Sequence, residues 1–150
     1  MERTVDSPLG PLALEARDGA LIRLGWGRAA REDDSNLLTQ AAAELAAYFA
    51  GDPYSFDLPV APQGTAHDRK VWRAMQNIPP GETRTYGDIA RAIGSAAQAV
   101  GNACGRNPIP IIVPCHRIVA ANGAIGGYSG QGGAETKRFL LGLEGVFPSG

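Results

Sequence analysis

The chain is poor in the residues that would commit it to a specialised class. Two cysteines in 150 residues, Cys104 and Cys115, are too few for a disulfide framework. His67 and His116 are too far apart in sequence to complete a zinc-ligand spacing with them, so no metal site is expected. No apolar run approaches the ~20 residues of a membrane helix. The opening MERTVDSPLG has acids and a proline where an export signal has an apolar core, so the expected location is cytoplasmic. A bulk excess of one charge is missing too, since 14 basic and 15 acidic residues leave a net charge of −1. Apolar residues at 44% and charged residues at 19% fit a folded chain rather than a disordered one. The length allows one domain or two small ones sharing a core.

The even balance hides an asymmetry. Residues 1–60 hold five basic and ten acidic side chains, whereas residues 61–150 hold nine basic and five acidic. Opposite signs in the two halves hint that the second meets a polyanion, although +4 over 90 residues is common in proteins that bind none.

Residues 3–27 read as strands: Leu12, Leu14 and Ala16 alternate with Ala13 and Glu15, Asp18-Gly19 is a hairpin signal, and Leu21 to Trp26 supply the return. Asn36 to Ala50 is helical, with Leu37, Leu38, Ala41, Leu45, Tyr48 and Phe49 on its apolar face, Ser35 or Asn36 as cap and Gly51 as stop. Tyr54 to Leu58 reads as a short strand, and Pro59 to Gly64 as a linker. The expected organisation is therefore α/β, with a small sheet-plus-helix domain over residues 1–60. A mostly helical domain over residues 61–150 follows it.

That second part opens with a helix over Ala66 to Ile78, capped by Thr65 and ended by Pro79-Pro80-Gly81. Helices over Tyr86–Ile93 and Ala96–Arg106, separated by Gly94-Ser95, have the outline of a helix-turn-helix, and equally of an ordinary helical hairpin. The later helix is made of small residues and contains Gly101 and Gly105. Each glycine costs about 1 kcal/mol relative to alanine in a helix interior, so the helix needs close approach to a neighbour or a groove.

The segment Asn107-Pro108-Ile109-Pro110-Ile111-Ile112-Val113-Pro114-Cys115-His116-Arg117 delivers a Cys-His pair from a proline-bounded apolar run. A free cysteine is often a buried packing residue. Here His116 offers the base that raises a thiolate fraction, Arg117 adds a positive charge, and Pro114 constrains the entry, so a reactive thiolate is expected at Cys115. Cys104 has no adjacent base and reads as packing. Gly126 to Gly133 is a glycine-rich loop without the Gly-Lys-Ser/Thr ending of a P-loop. It reads as a mobile pocket wall, with Tyr128 available to stack on a ring. Glu144, at the end of a helix over Ala134 to Gly145, opposes the helix dipole and needs a partner, for which His116 is a candidate.

Pro114-Cys115-His116-Arg117-Ile118 resembles the active-site signature of the O6-alkylguanine-DNA alkyltransferases, the methylated-DNA–protein-cysteine methyltransferases. The resemblance extends in order through Val71-Trp72, Tyr86-Gly87-Asp88-Ile89-Ala90, Ala99-Val100-Gly101-Asn102-Ala103, Asn107-Pro108, Gly127-Tyr128-Ser129-Gly130 and Glu144-Gly145. It implies direct, single-turnover transfer of an alkyl group from O6 of guanine, and of O4 of thymine, to Cys115, with no cofactor. It implies that His116 takes the thiol proton through a water, that Glu144 orients His116, and that Tyr86 donates a proton to the departing guanine. Asn107, Pro110, Tyr128 and Cys104 are implied in the base pocket and its support. Gln98, Ala99, Arg106, Arg117 and Ser129 are implied on the DNA side. The implied partner is duplex DNA, met by a monomer through the minor groove with the damaged base flipped out.

Two features depart from the family pattern. Gln98 stands where an intercalating arginine is usual, and the turn Ile93 to Ala97 is about two residues short. A lesion-recognising module with weak transfer, or a thiol hydrolase using the Cys-His-Glu set, are the rival readings. The cysteine is replaced in the non-catalytic relatives and present here. The His67-Asp68 pair, where an aromatic is common, receives no role.

Overall fold

The computed structural model describes residues 1–52, 56–128 and 130–146. The architecture is mixed α/β, with an N-terminal antiparallel sheet followed by a helical C-terminal part. Strands β1 (Glu2–Val5), β2 (Leu12–Arg17) and β3 (Ala20–Trp26) pair in the order β1-β2-β3. Asp18 and Gly19 both have positive φ, the type I′ geometry that matches the twist of a two-residue hairpin. Leu12, Leu14 and Ala16 are buried as their alternation predicts. Helix α1 (Asn36–Phe49) is capped by the Ser35 hydroxyl on the Leu38 N–H and lays Leu38, Ala41, Leu45 and Tyr48 inward.

The strand expected over Tyr54 to Leu58 does not form among its described residues, 56–58, while Pro53, Tyr54 and Ser55 lie outside them. The chain instead runs extended to Val60, which bridges to Leu21. Pro59 lacks a donor, but its carbonyl accepts from the Leu21 N–H, and Ala61 donates to the Leu21 carbonyl.

Helix α2 (Ala66–Gln76) stops two residues earlier than its apolar stripe predicts, although Ile78 is still buried. A two-residue parallel pair, β4 (Arg84–Thr85) with β5 (Ile118–Val119), leads into α3 (Tyr86–Ile93), which ends on Gly94 in the left-handed region. Helix α4 (Ala97–Gly105) follows after only Gly94-Ser95-Ala96. It is weak by composition: Ala96 at its N-cap makes no side-chain bond, where a Ser or Asp would contribute about 1 kcal/mol. Residues 115–117 form a 3₁₀ turn, and α5 (Gly133–Leu143) is the last helix among the described residues. One core cluster runs from Val5 on the sheet through Trp72 and Val100 to Leu140, so sheet and helices pack on shared apolar contacts.

Candidate active site

The loop that presents Cys115 is built under strain. Ile111 has φ +75°, a conformation costing a β-branched residue of order 1–3 kcal/mol. Asn107, just past α4, holds the loop from both sides: its Nδ2 donates to the Val113 carbonyl at 2.8 Å and its Oδ1 accepts from Ile109 N–H at 3.0 Å. The Leu24 N–H of β3 donates to the Pro108 carbonyl, which fastens the loop to the sheet. The β4–β5 pair then sets Tyr86, the residue after β4, beside the 3₁₀ turn.

Cys115 lines a cavity of about 330 Å³ together with Tyr86, Gly101, Cys104, Gly105, Gly127 and Tyr128. Two glycines of α4 therefore face this cavity, and a methyl at Gly101 would meet the Tyr86 ring at 3.9 Å, an ordinary van der Waals contact. Cys115 also borders a second cleft of about 390 Å³ that includes Trp26, Asn107, Pro110 and Gly130. Pro110 and Asn107 thus border this cleft rather than the tyrosine-lined cavity.

The expectation of a resting thiolate is corrected. Burial pushes the Cys115 thiol up, and a hydrogen bond from Asn107 and the Lys137 charge oppose this without reversing it. The resting group is therefore a neutral thiol. His116 moves the other way: burial lowers its imidazole against the pull of Glu144, so it too rests neutral. Sequence adjacency misled here because a 3₁₀ turn carries successive side chains about 120° apart.

Glu144 anchors the network. Its Oε2 lies 2.7 Å from His116 Nε2 and accepts from the Tyr48 hydroxyl at 2.6 Å, and Arg117 donates to both of its oxygens at 2.8 and 3.0 Å. Burial alone would raise the Glu144 carboxyl, but the bonds from His116 and Arg117 bring it to about 2. An ionised carboxylate only accepts, so His116 Nε2 carries the hydrogen and Nδ1 keeps its lone pair. That Nδ1 is buried and has no hydrogen-bond partner among the described residues.

The position of Arg117 on a DNA-facing surface is also corrected. It is 3% exposed, and its remaining donor reaches the Ile78 carbonyl at 2.6 Å. Its charge serves Glu144 and not the thiol. The cation that acts on the thiol is Lys137, which sequence reading left out of the site. It is fully buried, with Nζ 3.0 Å from the Gly127 carbonyl and 6.0 Å from the centre of the Tyr86 ring. Tyr48 was missed as well, although a hydroxyl in a buried helical stripe always needs a partner. Burial, with Cys115 nearby, pushes Cys104 up to about 12, so it is an inert thiol in the cavity wall. Gln98 is exposed on α4 and Ala99 half-buried, while Ser129 lies outside the described residues. Arg106 is held by Asp68 across a 2.6 Å contact.

No group of three or more potential metal ligands occurs among the described residues. No helix among them is long and apolar enough to cross a membrane.

Residues 66–146 match the model of the 6-O-methylguanine DNA methyltransferase DNA-binding domain, and residues 1–62 match that of the same proteins' ribonuclease-like domain. The methylated-DNA–protein-cysteine methyltransferase of Methanosarcina acetivorans is 43% identical over 150 residues, covering 93% of this chain and 95% of that protein. The namesake from Mycolicibacterium paratuberculosis is 46% identical over 95% of this chain and 90% of its own length. The crystal structure of Mycobacterium tuberculosis OGT in complex with DNA superposes with a TM-score of 0.84 at 46% identity, covering 95% of this chain and 91% of that one. A strained loop presenting a buried thiol to a tyrosine-lined cavity, with a carboxylate-bound imidazole beside it, thus occurs in a chain that belongs to the 6-O-methylguanine DNA methyltransferase family.

Proposed function

We propose that this protein binds duplex DNA and moves the alkyl group of O6-alkylguanine onto Cys115 in a single turnover. The observation that carries the reading is the pairing of a cavity-lining thiol with a neutral imidazole whose Nε2 is fixed by Glu144 and whose Nδ1 has no partner among the described residues.

The resting neutrality of both groups shapes the mechanism. The thiol is ionised only as it attacks, its proton passing through a water to His116 Nδ1. The sulfur forms a bond to the sp³ carbon while the carbon–O6 bond breaks, and the electron pair leaves on the purine oxygen. The Tyr86 hydroxyl, kept protonated first by burial and then by the two nearby thiols, relieves that charge by donating a proton. The proton taken from sulfur balances the one delivered, and the products are guanine and a thioether. Nothing in the site activates a water against a thioether, so the protein is consumed.

A base inside a helix cannot reach a buried sulfur, so the nucleotide is swung out into the cavity. Small residues let α4 lie in the shallow minor groove, with Tyr128 against the extruded base. The same chemistry extends to O4-alkylthymine, whose leaving oxygen is equivalent, and the protein acts as a monomer in the cytoplasm.

With excess duplex carrying O6-methylguanine, repair should stop at one equivalent per protein and vanish in Cys115→Ser; sustained turnover would refute the reading. Gln98 carries no charge with which to hold the opened stack. Gln98→Arg should therefore raise the repair rate on duplex about tenfold, the effect of one added charged contact. Unchanged single-turnover kinetics would show that extrusion does not depend on this position.

A further inference from the structure

The His67-Asp68 pair at the start of α2 takes no part in the chemistry above, yet it grips the helix that carries Gln98. We propose that His67 and Asp68 clamp the two ends of α4 and so set the position of the DNA-recognition helix, an inference that rests on the alkyltransferase reading.

At the leading end, His67 Nε2 lies 2.7 Å from the Ser95 hydroxyl, in the three-residue turn before α4. At the trailing end, Asp68 receives Arg106 through Nε at 3.2 Å to each oxygen and through Nη2 at 2.6 Å. Between them, one helical turn further along α2, the Trp72 indole donates to the Ala103 carbonyl at 2.9 Å. One face of α2 therefore holds α4 at residues 95, 103 and 106.

The grip itself is stiff. Asp68 is 2% exposed and also closes the capping box of α2, accepting from the Thr65 N–H at 3.3 Å. Helix α4 needs such support, because it has no side-chain N-cap and is built of small residues. The contacts reach it from the side where Val100 and Ala103 are buried, leaving Gln98 and Asn102 exposed on the other. A clamp there fixes the helix without covering the face offered to a groove.

The test compares two substrates: duplex containing O6-methylguanine, and the free base O6-benzylguanine, which needs no recognition helix. Asp68→Asn keeps the size and a capping acceptor but removes the charge that holds Arg106. Transfer from subsaturating duplex should fall about tenfold, the effect of one lost charged hydrogen bond. Transfer from the free base should stay within about twofold on the same reasoning. Ser95→Ala should show the same split more weakly, and Asp68→Glu, which retains charge and capping, should recover most of the duplex rate. Equal losses on both substrates with a lowered Tm would overturn the proposal in favour of a purely structural pair. A duplex rate that is unchanged or raised in Asp68→Asn would overturn it in favour of Arg106 acting on phosphate directly. Wild-type protein inert toward both substrates would instead remove the alkyltransferase reading itself.

Discussion

Glu144→Ala should destabilise the fold by about 3–5 kcal/mol and abolish transfer, because it strips the shared carboxylate from a buried Arg117 and a buried His116. Both Glu144 and His116 side chains are fully enclosed, so solvent cannot replace the lost partner. The Glu144→Gln variant separates the two effects: it fills the space, but offers a neutral oxygen that no longer holds the Nε2 tautomer of His116 firmly. Loss of second-side support of this kind lowers activity about 10–100-fold in comparable metal–histidine sites, and a similar loss is expected in the rate of alkyl transfer.

The same network fixes the response to acid. The Glu144 carboxyl is depressed in the folded protein to about 2, from an ordinary value near 4.5. A group whose folded pKa is depressed contributes stability above its unfolded value, and that contribution is lost as pH falls toward the folded one. His116 also rests below its ordinary value, so the fold begins to lose stability once pH drops below about 6.5, where an unfolded imidazole takes up a proton. Chemical denaturation across pH should therefore show two acid losses in wild type, one below the imidazole range and one between 4.5 and about 2. The second should be smaller in Glu144→Gln, and what remains belongs to Asp68 and Asp88, which hydrogen bonds from Arg106 and Thr85 also hold below their ordinary value. A wild-type profile flat to strong acid would contradict the assigned network.

Lys137→Met should slow transfer about tenfold or more while leaving Tm unchanged or raised, since each pKa unit added to the thiol removes a factor of ten in thiolate. The ammonium is fully buried and, among the described residues, hydrogen-bonds to the Gly127 carbonyl, so its removal takes a desolvated charge out of the interior. Its charge also holds down the Cys115 thiol against burial. A stability gain together with an activity loss marks a residue kept for chemistry. Retained transfer rate in Lys137→Met would show that the thiol needs no such charge.

The pieces of this site that were legible in the sequence are those with local logic. The Asp18-Gly19 hairpin, the Thr65 cap and the break at Gly94 follow from backbone preferences and appear as expected. The link from Glu144 to His116 was readable because a carboxylate at a helix C-terminus needs a partner. What was not legible depends on distance and burial. Arg117 follows the thiol by two residues, yet the 3₁₀ turn sends it to Glu144. The thiol was read as ionised from its neighbours in sequence, whereas its charge state is set by the dry cavity around it. Tyr48, on the N-terminal half, reaches Glu144 across 96 residues, and no periodicity encodes such a pairing. The clamps on α4 are equally non-local: the capping-box spacing of Thr65 and Asp68 points to the start of α2 and says nothing of Arg106, and only packing of α2 on α4 brings them together.

The most direct measurement is a peptide map of the protein by mass spectrometry after incubation with duplex containing O6-methylguanine. The account predicts one methyl per chain, located on the peptide carrying Cys115 and absent in Cys115→Ser. No mass gain, or a methyl carried by Cys104 instead, would contradict it.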